Sequence, residues 1–97
     1  MPAYVMLMNL TEQGVKAVKE APARIQSSIK AFEAAGGKLI AFYATMGEYD
    51  YVSIGEAPND EVASAFALAI AEQGYVRTKT LRAFTVDQFA GIVKQLP

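Results

Sequence analysis

An α+β domain is what this sequence predicts, and three observations predict it. Two stretches, Ala3–Leu10 (AYVMLMNL) and Leu39–Met46 (LIAFYATM), are almost continuously apolar, the pattern of strands covered on both faces. The segments following Pro22 and Asn59 instead repeat their apolar residues at helical spacing. Glycines, prolines and capping residues fall between these segments, so strands and helices come in an ordered alternation.

The elements follow in order. After the first strand, Thr11 is placed to cap a short helix, with Glu12 favourable in its first turn and Leu10 packing back on Val15. That helix must be brief, because Pro22 cannot continue it. Pro22 suits the first residue of the next helix, whose stripe is Ile25, Ile29 and Phe32 and whose stop is Gly36-Gly37. The second strand ends at Gly47-Glu48-Tyr49-Asp50, and Tyr51–Glu56 returns as the other arm of a hairpin. Asn59 or Asp60 opens a further helix with Val62, Phe66, Ala69 and Ile70 on its buried stripe and Gly74 at its end. A last strand, Tyr75 to Phe84, alternates charged with smaller or apolar groups. Thr85 to Leu96 closes the chain as a helix with a Thr85–Gln88 capping box, a Phe84–Phe89 staple and an apolar stripe of Phe89, Ile92, Val93 and Leu96.

Strand, helix, strand, strand, helix, strand is the ferredoxin-like βαββαβ order: a four-stranded antiparallel sheet with helices on one face. The first and third strands are then central and the second and fourth are edges. Arg77, Lys79 and Arg82 fall on one edge, where charge discourages adventitious pairing; the Leu39–Met46 edge has no such guard.

Composition narrows the functional classes. The chain has 97 residues, 53% of them hydrophobic, a net charge of −1, and neither cysteine nor histidine. Disulfides, thiolate chemistry and the commonest metal ligand and general base are therefore absent. No metal site or cofactor is expected. With no basic patch, and no apolar run near the roughly 20 residues of a membrane helix, neither nucleic acid nor membrane is an expected partner. The expected compartment is the cytoplasm, and residues 1–97 are expected to form one domain.

Period two assigns Val5, Leu7, Ile40, Phe42, Val52 and Ile54 to the helix-covered face. Tyr4, Met6, Met8, Tyr43, Tyr51 and Ser53 are left for the opposite side. That second set is rich in Tyr and Met, types favoured at interfaces and in pockets. A chain this short covers one sheet face by itself, so a homo-oligomer, most simply a face-to-face dimer, is expected to cover the other.

Three blocks carry a family resemblance: MPAYVMLMNLTEQG at the start, GGKLIAFYATMGEYDYVSIGEAP in the centre and VRTKTLRAFT near the end. Together they resemble the GYD-domain family of small bacterial and archaeal proteins, with Gly47-Glu48-Tyr49-Asp50 standing at the eponymous motif. The resemblance implies a dimeric α+β barrel, two ferredoxin-like subunits packed through their sheets. It brings no catalytic residues with it.

Several groups are candidates for chemistry. Tyr49 and Asp50 can serve as acid and base; alternatively Gly47 supplies a positive φ to a hairpin turn and Asp50 bonds backbone. Tyr4, Tyr43 and Tyr51 can line a pocket between sheets with Arg77 or Lys79 anchoring an acidic ligand, or they can simply pack an interface. Thr11–Gly14 offers a helix start to an anion, though a cap explains the same residues and Glu12 would repel it. Glu48 and Glu56 carry no spacing that demands a carboxylate pair. The third strand, YVSIGEA, lacks the basic and stacked-aromatic pattern of RNA-recognition modules. Two readings follow. One is an oligomeric small-molecule-binding or interaction module. The other is a cofactor-independent enzyme, monooxygenase- or isomerase-like, acting on a small aromatic or enolisable acid in a pocket between the sheet and its partner.

Overall fold

The computed structural model describes residues Met1–Pro97. Its elements are β1 (Ala3–Leu10), α1 (Glu12–Lys16), a 3-10 turn (Val18–Glu20), α2 (Ala21–Ala34), β2 (Lys38–Ala44), β3 (Tyr51–Glu56), α3 (Asp60–Glu72), β4 (Val76–Ala83) and α4 (Val86–Val93). The strands form one antiparallel sheet in the order β2-β3-β1-β4, the ferredoxin-like arrangement with β1 and β3 in the centre.

The expected local signals operate. Thr11 caps α1 through the Gly14 amide at 3.0 Å and donates its hydroxyl to the Gly74 carbonyl at 2.6 Å, tying α1 to the start of β4. Gly14 is needed for that approach: a Cβ there would stand 2.0 Å from the Tyr75 carbonyl oxygen. Asn59, rather than Asp60, caps α3, and Thr85 with Gln88 forms a full capping box on α4.

The face assignment from period two is reversed for the central strands. Tyr4, Met6, Met8, Tyr51 and Ser53 lie under the helices: Tyr4 joins Ala57 and Ala63 in the core against Phe32 and Val62. Met8 and Tyr51 are buried at 6% and 8% exposure. Val5, Leu7, Val52 and Ile54, paired in register across β1 and β3, form the uncovered face. Phe42 and Tyr43 keep their assigned sides, opposite Ser53 and Val52, while the β2–β3 register slips between Leu39 and Ala41 and leaves Ile40 without a partner. One extra residue in a strand flips the phase of everything after it, so a single alternation read across the sheet must fail somewhere.

The folded chain exposes 6691 Å². A compact monomer of its 10.5 kDa mass exposes about 5,400 Å², about 1,300 Å² less. The radius of gyration, 14.7 Å, likewise exceeds the about 12.5 Å of a compact domain this long. Much of the difference lies in α4. It makes at most marginal contact with the other elements, and Val86, Phe89 and Leu96 are 84%, 59% and 68% exposed. No helix is long and apolar enough to cross a membrane.

Candidate functional site

The sheet presents two surfaces with different chemistry. On the uncovered face the strand pairings align Lys79, Leu7, Val52 and Tyr43 in one row across the sheet, and Leu81, Val5, Ile54 and Ala41 in the next. The centre is therefore aliphatic, and Arg77, Lys79 and Tyr43 stand toward one end. The Lys79 ammonium lies 5.6 Å from the centre of the Tyr49 ring, which brings the hairpin turn to that same end. An apolar centre bordered by Tyr, Arg and Lys is the make-up of a protein interface with a polar rim.

Beneath the helices is a half-open cavity of about 120 Å³ between the sheet, α2 and α3, lined by 22 residues, 16 of them hydrophobic. Phe32 determines its shape. Its ring sits where a Cβ on Gly37 would come within 2.5 Å and one on Gly55 within 3.1 Å, and it meets Phe66 at 4.8 Å between centroids. This pair props α2 against α3 and leaves the space beside them unfilled.

At one margin of the sheet Tyr4 donates its hydroxyl to Asp60, and the Arg82 guanidinium lies 3.8 Å from the same carboxylate and 5.7 Å from the Tyr4 ring centre. Burial, then the hydrogen bond and negative charge of Asp60, push the Tyr4 phenol above its ordinary value of 10.0. The Tyr4 hydroxyl is thus a held proton. It ties β1 to the start of α3.

The sequence-derived site residues divide between these surfaces. Tyr43 and Arg77 are on the uncovered face, with Tyr49 beside it. Tyr51 lies on the other side of the sheet, in the cavity wall, 5.6 Å from the Phe42 ring. Asp50 accepts the Leu10 amide at 2.8 Å through its carboxylate, while its own amide donates to the Met8 carbonyl at 2.9 Å. Its carboxylate therefore finishes the β1 ladder, and Gly47 holds the turn at φ +107°. The five do not converge on one point. No group of acidic residues is arranged to hold a metal ion. The cavity between sheet and helices was missed by the sequence reading; its signal was the Tyr/Met-rich residue set, attributed to the wrong face.

The GYD domain family matches residues 4–93, over nine-tenths of the sequence. The chain belongs to the GYD-domain family. This GYD domain is similar to the glutamine synthetase and cystathionine beta-lyase binding protein of Thermus thermophilus. The two are 33% identical over 95 residues, covering 97% of this chain and all of that one. No solved structure matches the chain.

Proposed function

We propose that this GYD domain is a self-associating protein-interaction module that pairs through its uncovered sheet face and docks onto enzymes. The observation that carries the reading is that face itself: Val5, Leu7, Val52, Ile54 and Leu81 form a contiguous aliphatic surface on a sheet whose other side is already covered. Pairing two such sheets face to face gives a dimeric α+β barrel. The relative named for binding glutamine synthetase and cystathionine beta-lyase supplies the partner class, metabolic enzymes. Tyr43, Tyr49 and Arg77 at the border of the face are the residue types that anchor such contacts.

Sedimentation equilibrium of the wild type and Leu7→Lys is the test, with pull-down of the same organism's glutamine synthetase and cystathionine beta-lyase alongside. The wild type should sediment as a dimer at micromolar concentration, and Leu7→Lys as a folded monomer. A wild type that stays monomeric at that concentration removes the self-association. Failure to retain either enzyme removes the docking role.

A further inference from the structure

We propose that the cavity between the sheet, α2 and α3 binds a small uncharged compound of about one ring, apolar over most of its surface and carrying a single hydrogen-bonding group. The inference is independent of how the opposite sheet face is used.

Size comes first. The space is about 120 Å³, close to the roughly 150 Å³ apolar cavity that stays dry and takes up benzene in an engineered protein core. A peptide segment or helix of a partner is too large for it. Water is a poor occupant of its apolar part, whose wall is supplied by Met6, Met8, Ile25, Ile29, Phe66 and Ile70. The two methionines are flexible and polarisable, suited to closing around ligands of slightly different outline.

Charge comes second. No charged side chain is buried in the chain. The one guanidinium at the wall, Arg24, is already engaged, donating to the Ala17 carbonyl at 3.1 Å and lying 4.0 Å over the Tyr75 ring. A cation would meet no carboxylate, and an anion only the Arg24 guanidinium, which is held at the wall by the Ala17 carbonyl and the Tyr75 ring, so burying either would be poorly compensated.

The polar handle comes third. Ser28, Tyr51 and Ser53 line the cavity, and their hydroxyls make no hydrogen bond within the chain while remaining accessible. Tyr51 is otherwise buried, so its hydroxyl is a fixed donor and acceptor on a largely apolar wall. This arrangement selects one polar substituent and orients the ring that bears it. The cavity is also held open by construction, since the Phe32–Phe66 contact and the absence of side chains at Gly37 and Gly55 set the height of α2 above the sheet.

Phenol, toluene and benzoate are the probes, titrated into the full chain and followed by two-dimensional amide NMR and calorimetry. Phenol and toluene should bind saturably, with shifts confined to residues of the cavity wall, and benzoate at least tenfold more weakly than phenol. Ser28→Phe, which fills the space from α2, should weaken both neutral probes at least tenfold; Ile70→Phe does the same from α3 should the first variant fail to fold. Tyr51→Phe should weaken phenol about threefold to tenfold and leave toluene unchanged. Absence of saturable binding by phenol and toluene overturns the proposal. So does unchanged affinity in a folded cavity-filled variant, or benzoate binding as well as phenol.

Discussion

The two faces of this sheet are both apolar, yet they are apolar in different ways. The face under the helices carries Tyr4, Met6, Met8, Tyr51 and Ser53 and is imperfectly filled. The face without helices carries Val5, Leu7, Val52, Ile54 and Leu81, branched aliphatics that present a smooth surface. The covered face is thus the one with polar handles and a cavity, and the bare face has the composition of a core. Covering by the chain's own helices and close packing are separate properties. Here the surface best suited to tight packing is the one the chain's own helices leave bare.

The sharpest way to break this comparison is to place one charge on each side. Met8→Lys puts an unpaired ammonium at a position only 6% exposed and should cost on the order of 3–5 kcal/mol, abolishing a cooperative urea transition. Leu7→Lys, one residue away on the bare face, should change the stability of the isolated chain by less than about 1 kcal/mol and register in the sedimenting mass. If both variants unfold, or neither does, the two faces are not distinct in the way described.

A smaller effect is expected at the hairpin turn. Asp50→Ala leaves the Leu10 amide without its carboxylate acceptor at 2.8 Å. A loss of about 1.5–3 kcal/mol in denaturant unfolding is expected, since hydrogen bonds to charged groups lie in that range. An unchanged midpoint would mean that Asp50 does not finish β1, reopening a chemical role for the turn.

The smallest effect concerns Tyr4. Its folded value is raised above the ordinary 10.0, so the protonated phenol is favoured in the folded state. That contribution to stability is fully present below about pH 10 and is lost as pH rises through the folded value, where the native chain holds a proton the unfolded chain has released. Tyr4→Phe should therefore flatten the decline of the melting temperature above pH 10. A decline as steep as the wild type's would assign it to other groups.

The elements were legible from short-range chemistry. Thr11, Asn59 and Thr85 cap their helices, Gly36 and Gly74 take positive φ just after α2 and α3, and Gly47 does so in the hairpin. Element order then dictated the sheet order. What the residues did not reveal was which side of the central strands the helices cover. Alternation distinguishes faces only when one is polar, and in β1 both Val5-Leu7 and Tyr4-Met6-Met8 are plausible core. Nothing in the residues linked the alternation of β2 to that of β3, whose pairing sets Tyr43 opposite Val52, so Tyr43 was placed on the correct side and Tyr51 on the wrong one. The cavity was out of reach for a different reason: it depends on the spacing of α2 and α3, set by Phe32 against Gly55 and Phe66, both distant from it in sequence.

The unpaired Ile40 has a further effect at the rim of the sheet. A straight, greasy border strand invites another border strand, and repeated addition builds fibrils. The kink at Ile40 interrupts the row of free amides and carbonyls on β2, so an incoming strand could not zip along its whole length. Sideways growth from this border is blunted, so the strand that sequence alone left unguarded is a poor template for endless polymers.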